Sequence, residues 1–184
     1  VYDVDSIGLV RALGRMNDGQ DLMGNPLGEP TGFMIACAVN PAADDMSREI
    51  DRLALKADQG AHVAFSQPIF DPEVLQKFME RAKDIDIRFM LGIIPLRTIR
   101  HAEFLHFEVP GMMIPQWVRD KMRESGTDKE KATATGIDLS VDMLEAVRDN
   151  VDGVYLMPPF KKYDIAIRIL ERVGTIEQRS ESSS

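Results

Sequence analysis

Four short apolar runs, each closed by proline, glycine or a polar turn and each separated from the next by helically spaced apolar residues, constrain this chain more than any other feature. They are Phe33 to Val39, Val63 to Phe65, Arg88 to Ile94 and Val154 to Met157. Pro95 closes the third run and Pro158-Pro159 breaks the fourth. Between them, Met46, Ile50, Leu53, Ala54 and Ala57 recur at helical spacing, as do Val74, Leu75, Phe78, Met79 and Ala82. Strands that alternate with helices over short crossovers must run parallel and be covered by helices. An open doubly wound sheet and a (β/α)8 barrel both satisfy the pattern. A complete barrel needs eight strands and about 250 residues, so a barrel reading leaves about half of it outside this chain.

The rest of the chain fits the same alternation. Ile7, Leu9, Val10, Leu13 and Met16 predict an opening helix, with Asp5 or Ser6 as its cap. A helix in such a repeat follows a strand, and the chain begins with Val1 rather than Met, so it reads as a piece of a longer protein. Gly19 to Gly32 has no periodicity and reads as a loop. After the third strand come a helix near Thr98 to Phe107, a turn at Pro110-Gly111 and a helix from Pro115. Thr127-Asp128-Lys129-Glu130 reads as a capping box opening a long helix through Ile137, Val141, Leu144 and Val147. Tyr163, Ala166, Ile167, Leu170 and Val173 predict a last helix. The division expected is residues 1–175 as a partial barrel of about four βα units preceded by a helix, and 176–184 as a disordered polar tail.

Composition narrows the partners. A 44% hydrophobic and 28% charged chain of 184 residues can bury a real core, so disorder is not the default. The net charge of -8 argues against nucleic acid or an anionic membrane as the main partner. A single cysteine, Cys37, inside an apolar run fits a reducing, cytoplasmic setting, and no apolar segment approaches the roughly 18 residues that span a bilayer.

The chemistry concentrates in GAHVAFSQPIFD, Gly60 to Asp71. Its strand ends on Ser66 and Gln67, Pro68 stops the ladder, and Asp71-Pro72 begins a helix with Asp as cap. In a parallel α/β sheet, Ser66 and Gln67 then lie at the carboxyl end, where such folds bind ligands. An amide both donates and accepts, so Gln67 suits the edge of a heterocycle such as a pterin; capping of the next helix or a bond to a neighbouring loop is the competing role. Lys56, near the end of the preceding helix, is either a solvated cation or a phosphate ligand. Glu49 on the same helix is either solvent-exposed or a partner for ribose or ribityl hydroxyls. Lys161 and Lys162 follow the fourth strand, where a cation either serves ordinary solubility or holds a substrate carboxylate.

Other chemistries find little support. His62, His101 and His106 are poorly spaced for a metal, and His101-Ala102-Glu103 lacks the cysteine pair of zinc deaminases. His62 reads as a packed or rim residue. No nucleophile elbow, P-loop or dinucleotide fingerprint is present.

At LALKADQGAHVAFSQPIFD (Leu53 to Asp71), LGIIPL (Leu91 to Leu96) and MMIPQW (Met112 to Trp117) the sequence resembles methylenetetrahydrofolate reductases. With the opening VYDVDSIGLVRAL, it is most similar to the reductase half of bacterial proteins that fuse this domain to a homocysteine S-methyltransferase. The resemblance implies the C-terminal half of a (β/α)8 barrel with FAD at the carboxyl ends of the strands. It implies reduction of methylenetetrahydrofolate to methyltetrahydrofolate by hydride transfer through the flavin, in one-carbon metabolism and methionine biosynthesis, with a nicotinamide or other electron donor.

Position by position, the resemblance makes Gln67 the pterin contact and Lys56 a ligand of an FAD phosphate. It makes Glu49 a contact to the cofactor's hydroxyls and Lys162 the partner of the substrate's glutamate carboxylate, where many relatives have arginine. Leu105 stands near a position that is aromatic in some members, and Val39 replaces a cofactor-contacting tyrosine found in others. The glutamate that acts as general acid and the aspartate that tunes the flavin belong to strands expected before Val1. No catalytic residue is then expected here, and the chain alone is expected to be inactive. Its partners would be the missing N-terminal half or a second copy. Two other readings share the fold: a non-catalytic half-barrel for binding or assembly, and another pterin-binding barrel enzyme such as a methyltransferase.

Overall fold

The structure, a computed structural model, describes residues 3–174. The expected tail at 176–184 lies outside the described residues. Helix α1 (Ser6–Asn17) comes first, followed by β1 (Ala36–Val39), α2 (Met46–Asp58), β2 (Val63–Ser66), α3 (Pro72–Ala82) and β3 (Arg88–Ile93). Three helices follow, α4 (Ile99–Glu108), α5 (Gln116–Glu124) and α6 (Lys129–Val147), and then β4 (Gly153–Leu156) and α7 (Tyr163–Arg172). The strands pair in parallel and in sequence order, β1-β2-β3-β4.

That order, with the placement of the core, separates the two architectures left open by the pattern. One face of the sheet, formed by Val39, Ala64, Phe89, Leu91 and Ile93, packs in a single cluster against α2, α3, α6 and α7 through Leu53, Phe78, Ile137, Ile165 and Ile169. The alternate residues Phe65, Met90 and Tyr155 lie on the opposite face and are only half-buried. A doubly wound sheet carries helices on both faces and reverses its strand order at a switch point. Neither happens among the described residues, so the fold is a four-stranded segment of a (β/α) barrel with its helices outside.

Local chemistry explains the helix starts. Asp5, Asp45 and Asp71 accept the N–H groups of Gly8, Arg48 and Glu73, and Thr98 accepts that of His101. The capping box at Thr127 is shifted by one residue: Asp128 is the cap of α6, accepting from both Glu130 and Lys131. A carboxylate can serve two orphan donors at once, which leaves Thr127 outside the helix.

The first strand is also shorter than its apolar run. Phe33 and Met34 are exposed, because Asn17 takes both backbone groups of Phe33 and His62 Nδ1 accepts the Ile35 N–H at 3.0 Å. His62 is thus tied into the backbone at the strand entrance. In α7 the buried positions are Ile165 and Ile169, while Tyr163 and Ile167 face outward. Beyond β3, α4 and α5 enclose a second cluster with Leu96, Leu105, Met112, Ile114 and Met122.

Close approach at Gly136 locks this second layer to the sheet. A Cβ there would stand 1.7 Å from the Leu96 carbonyl oxygen, so α6 lies directly against the backbone that leaves β3.

Candidate functional site

The carboxyl ends of β1 and β2 gather Gln67, Lys56 and Glu49, three of the four side chains to which the resemblance gives a binding role. Ile35 and Val39 turn their carbonyls toward β2, accepting from His62 and Gln67. By the alternation of a parallel strand, Ala38 and Asn40 turn their backbone groups away from β2, to the open edge of β1. Two side chains of α2 meet them there. Lys56 Nζ donates to the Ala38 carbonyl at 2.7 Å, and Glu49 Oε1 accepts the Asn40 N–H at 2.8 Å.

Lys56 is therefore not the solvated cation of the simplest reading: it is 5% exposed. No carboxylate lies within ion-pair distance of it among the described residues. A buried ammonium resting on one neutral carbonyl is incompletely compensated, and two of its three protons remain to be given. Glu49 is half-buried, with one oxygen engaged and the other available. Both charges act on Cys37, whose thiol is pushed up chiefly by burial, so it is a weak nucleophile.

Gln67 follows the last residue of β2. Its backbone N–H donates to Val39 at 2.7 Å, while its side chain is exposed and without a hydrogen-bond partner among the described residues. The capping alternative fails, because Asp71 Oδ1 serves the N-terminus of α3 at 3.0 Å. Ser66, placed beside Gln67 at a ligand end by the sequence, is instead 1% exposed, and its Oγ accepts the Gly92 N–H at 3.0 Å.

Lys162 does not join the group. It precedes α7, exposed, at the same end of the sheet but two strands from β2, on the order of 10 Å away at ordinary strand spacing. Its neighbour Lys161 carries the strained backbone, at φ 60. Leu105 and Val39 are 7% and 2% exposed inside the two core clusters, so neither side chain faces the open side of the sheet.

Two open cavities flank the carboxyl ends. One of about 500 Å³ lies between Asn40, Asp44 and the segment from His106 to Met113. A smaller one of about 210 Å³ runs beneath Ala42, Phe70 and Met113. A third, of about 540 Å³, opens at the opposite end of the strands beside Arg11, Arg15 and His62, away from Gln67 and Lys56. Burial lowers the pKa of His101, with the Arg97 cation adding to it, and burial with Arg119 does the same to His106. Among the described residues no cluster of three or more His, Cys, Asp or Glu side chains could hold a metal, and no helix is long and apolar enough to cross a membrane.

Sequence reasoning passed over Tyr155 and Asn40. Tyr155 sat within an apolar run and Asn40 at its polar end; only the sheet order shows what each one reaches.

A barrel segment whose strand ends collect an exposed amide, a buried ammonium and a half-used carboxylate has the layout of a small-molecule-binding (β/α) barrel. The chain belongs to the methylenetetrahydrofolate reductase family, whose model matches residues 29–174. It is 30% identical over 142 residues to methylenetetrahydrofolate reductase 1 of Schizosaccharomyces pombe, a match covering 73% of this chain and 23% of the relative. The fold resembles that of an uncharacterized protein from Clostridium thermocellum that binds two copies of 5-methyl-5,6,7,8-tetrahydrofolic acid. The TM-score is 0.58 at 13% identity, over 78% of this chain and 54% of that one. The chain thus spans about a quarter of the curated relative and about half of the solved one.

Proposed function

We propose that this chain forms the folate- and cofactor-holding part of a flavin-dependent methylenetetrahydrofolate reductase, an oxidoreductase acting on one-carbon folates. The observation that carries the reading is Gln67, an exposed amide with no partner among the described residues, at the carboxyl end of a barrel strand. Family membership and the folate-binding protein of similar fold support it.

In this reading Gln67 orients the pterin through its paired donor and acceptor, and it acts by geometry rather than by proton transfer. Lys162 pairs with the glutamate carboxylate of the folate tail. As a point charge it sets orientation less tightly than a bidentate guanidinium.

The residues present fit FAD. The incompletely compensated Lys56 ammonium suits a phosphate, and the free oxygen of Glu49 suits a ribose or ribityl hydroxyl. When bound, FAD supplies the hydride-transfer chemistry; these side chains hold it and exclude water from its charged groups. Glu49 keeps one oxygen on the Asn40 N–H and is read as a contact to the cofactor, not as the acid that protonates the opening methylene bridge. The electron donor is a nicotinamide or another reductant, and fusion to a homocysteine methyltransferase is part of the same reading.

The test is Gln67→Ala in the full-length protein. The expected result is a loss of about 10- to 100-fold in kcat/KM for the folate, with flavin content and folate-independent turnover unchanged. Unchanged folate kinetics would remove Gln67 from the site, and a purified protein that neither holds nor responds to FAD would favour a methyltransferase-type barrel.

A further inference from the structure

The peptide group joining Ser66 to Gln67 is held at both ends by other strands. Its N–H donates to the Val39 carbonyl of β1 at 2.7 Å, and its C=O accepts the Tyr155 hydroxyl of β4 at 2.5 Å. Tyr155 reaches β2 across the whole width of β3. It can do so because the β3 residue beneath it is Gly92, in register with Tyr155: a Cβ there would stand 2.7 Å from the hydroxyl oxygen and 2.9 Å from the Ser66 carbonyl oxygen. The tyrosine ring meets Phe65 edge-on, 5.3 Å between centroids. Gly92 in turn gives its N–H to Ser66 Oγ.

We infer that Tyr155 is a positioning residue for Gln67: its hydroxyl, passing over Gly92, fixes the peptide from which the Gln67 side chain projects, and so sets the angle at which the amide meets its ligand. This rests on the reading of Gln67 as the pterin contact. The reason is leverage. The amide of Gln67 stands three bonds beyond Cα, so a small rotation of an unpinned strand end displaces it by a large part of a hydrogen-bond tolerance. Removing the hydroxyl also leaves the Ser66 carbonyl without its tyrosine donor at the point where the β2 ladder has ended.

The experiment is Tyr155→Phe in the full-length protein, which deletes one oxygen and keeps the ring on Phe65. Hydrogen exchange of the Gln67 amide should accelerate about tenfold, while Ala64 and Leu91 in the strand interiors exchange as before. The folate KM should rise about tenfold, with folate-independent turnover unchanged. In a Gln67→Ala background the same substitution should add nothing to KM, because the two act as one unit.

Ser66→Ala removes a neighbouring hydrogen bond but leaves the tyrosine in place, so its KM should stay near that of the parent. An unchanged exchange rate at Gln67 would overturn the inference, as would faster exchange with an unchanged KM, or an equal KM rise in Ser66→Ala. If Gln67→Ala itself leaves folate kinetics intact, the proposed function fails. The exchange measurement alone then decides whether Tyr155 pins this peptide.

Discussion

Gly136→Ala sets two well-known effects against each other. Gly136 lies inside α6, where replacing glycine by alanine ordinarily stabilises a helix by about 1 kcal/mol. The new Cβ, however, would stand 1.7 Å from the Leu96 carbonyl oxygen and 2.7 Å from its carbon, both backbone atoms of a residue only 2% exposed. No side chain can rotate away, so α6 or the chain leaving β3 must retreat by about 1 Å or more to restore van der Waals contact. Overpacking of this kind costs about 1–3 kcal/mol even where flexible side chains absorb it, and rigid backbone puts this site at or above the upper end. The net is a destabilisation of about 2 kcal/mol, or roughly 4–8 °C in melting temperature for a chain of this size. Thermal and urea unfolding read it, with the urea m-value unchanged because the same surface is exposed. Ala134→Gly, in the same helix, supplies the propensity term alone and should cost about 1 kcal/mol. A Gly136→Ala variant at least as stable as the parent would refute the close approach of α6 to Leu96, and with it the placement of the β3–α4 loop at the carboxyl end.

Lys56→Met removes the buried ammonium and should leave the melting temperature within a few degrees, since burying a hydrophobe in place of an incompletely paired charge is near neutral. Flavin affinity should fall about 10- to 100-fold, read by fluorescence of released FAD; full retention of flavin would exclude Lys56 as its phosphate ligand. The Asp152 carboxyl is held below the usual carboxylate range, first by the Phe89 N–H and then by Arg88. A lowered folded-state pKa stabilises above the ordinary carboxylate range and loses that contribution as pH falls through the lowered value. Asp152→Asn should therefore flatten the acid limb of melting temperature against pH, and equal slopes in parent and variant would count against the assignment.

How much of this was legible beforehand differs from element to element. The alternation of strands and helices was, because burial against a sheet on one side and water on the other imposes periodicities of 2 and 3.6 that survive in the sequence. Asp71 as the cap of α3 and Gln67 at the end of β2 followed from residue chemistry within a few positions. The shift of the α6 cap from Thr127 to Asp128, and the start of β1 at Ala36 rather than Phe33, did not. Both depend on which of several competent hydrogen-bonding groups wins: Asp128 serving two donors in one case, Asn17 and His62 reaching across the chain in the other.

The sequence by itself determined the parallel βα order, the family and the end of the sheet where polar groups collect, since all three are written in local spacing and motif. Only the tertiary structure decided that α2, α3, α6 and α7 pack on one face of the sheet, that Lys56 is buried against Ala38 rather than solvated, and that Tyr155 crosses Gly92 to reach Ser66. Those outcomes depend on residues 18, 26 and 89 positions apart meeting in space. A local pattern carries no record of such meetings, because the same strand and the same lysine would satisfy it equally well in a sheet of another order.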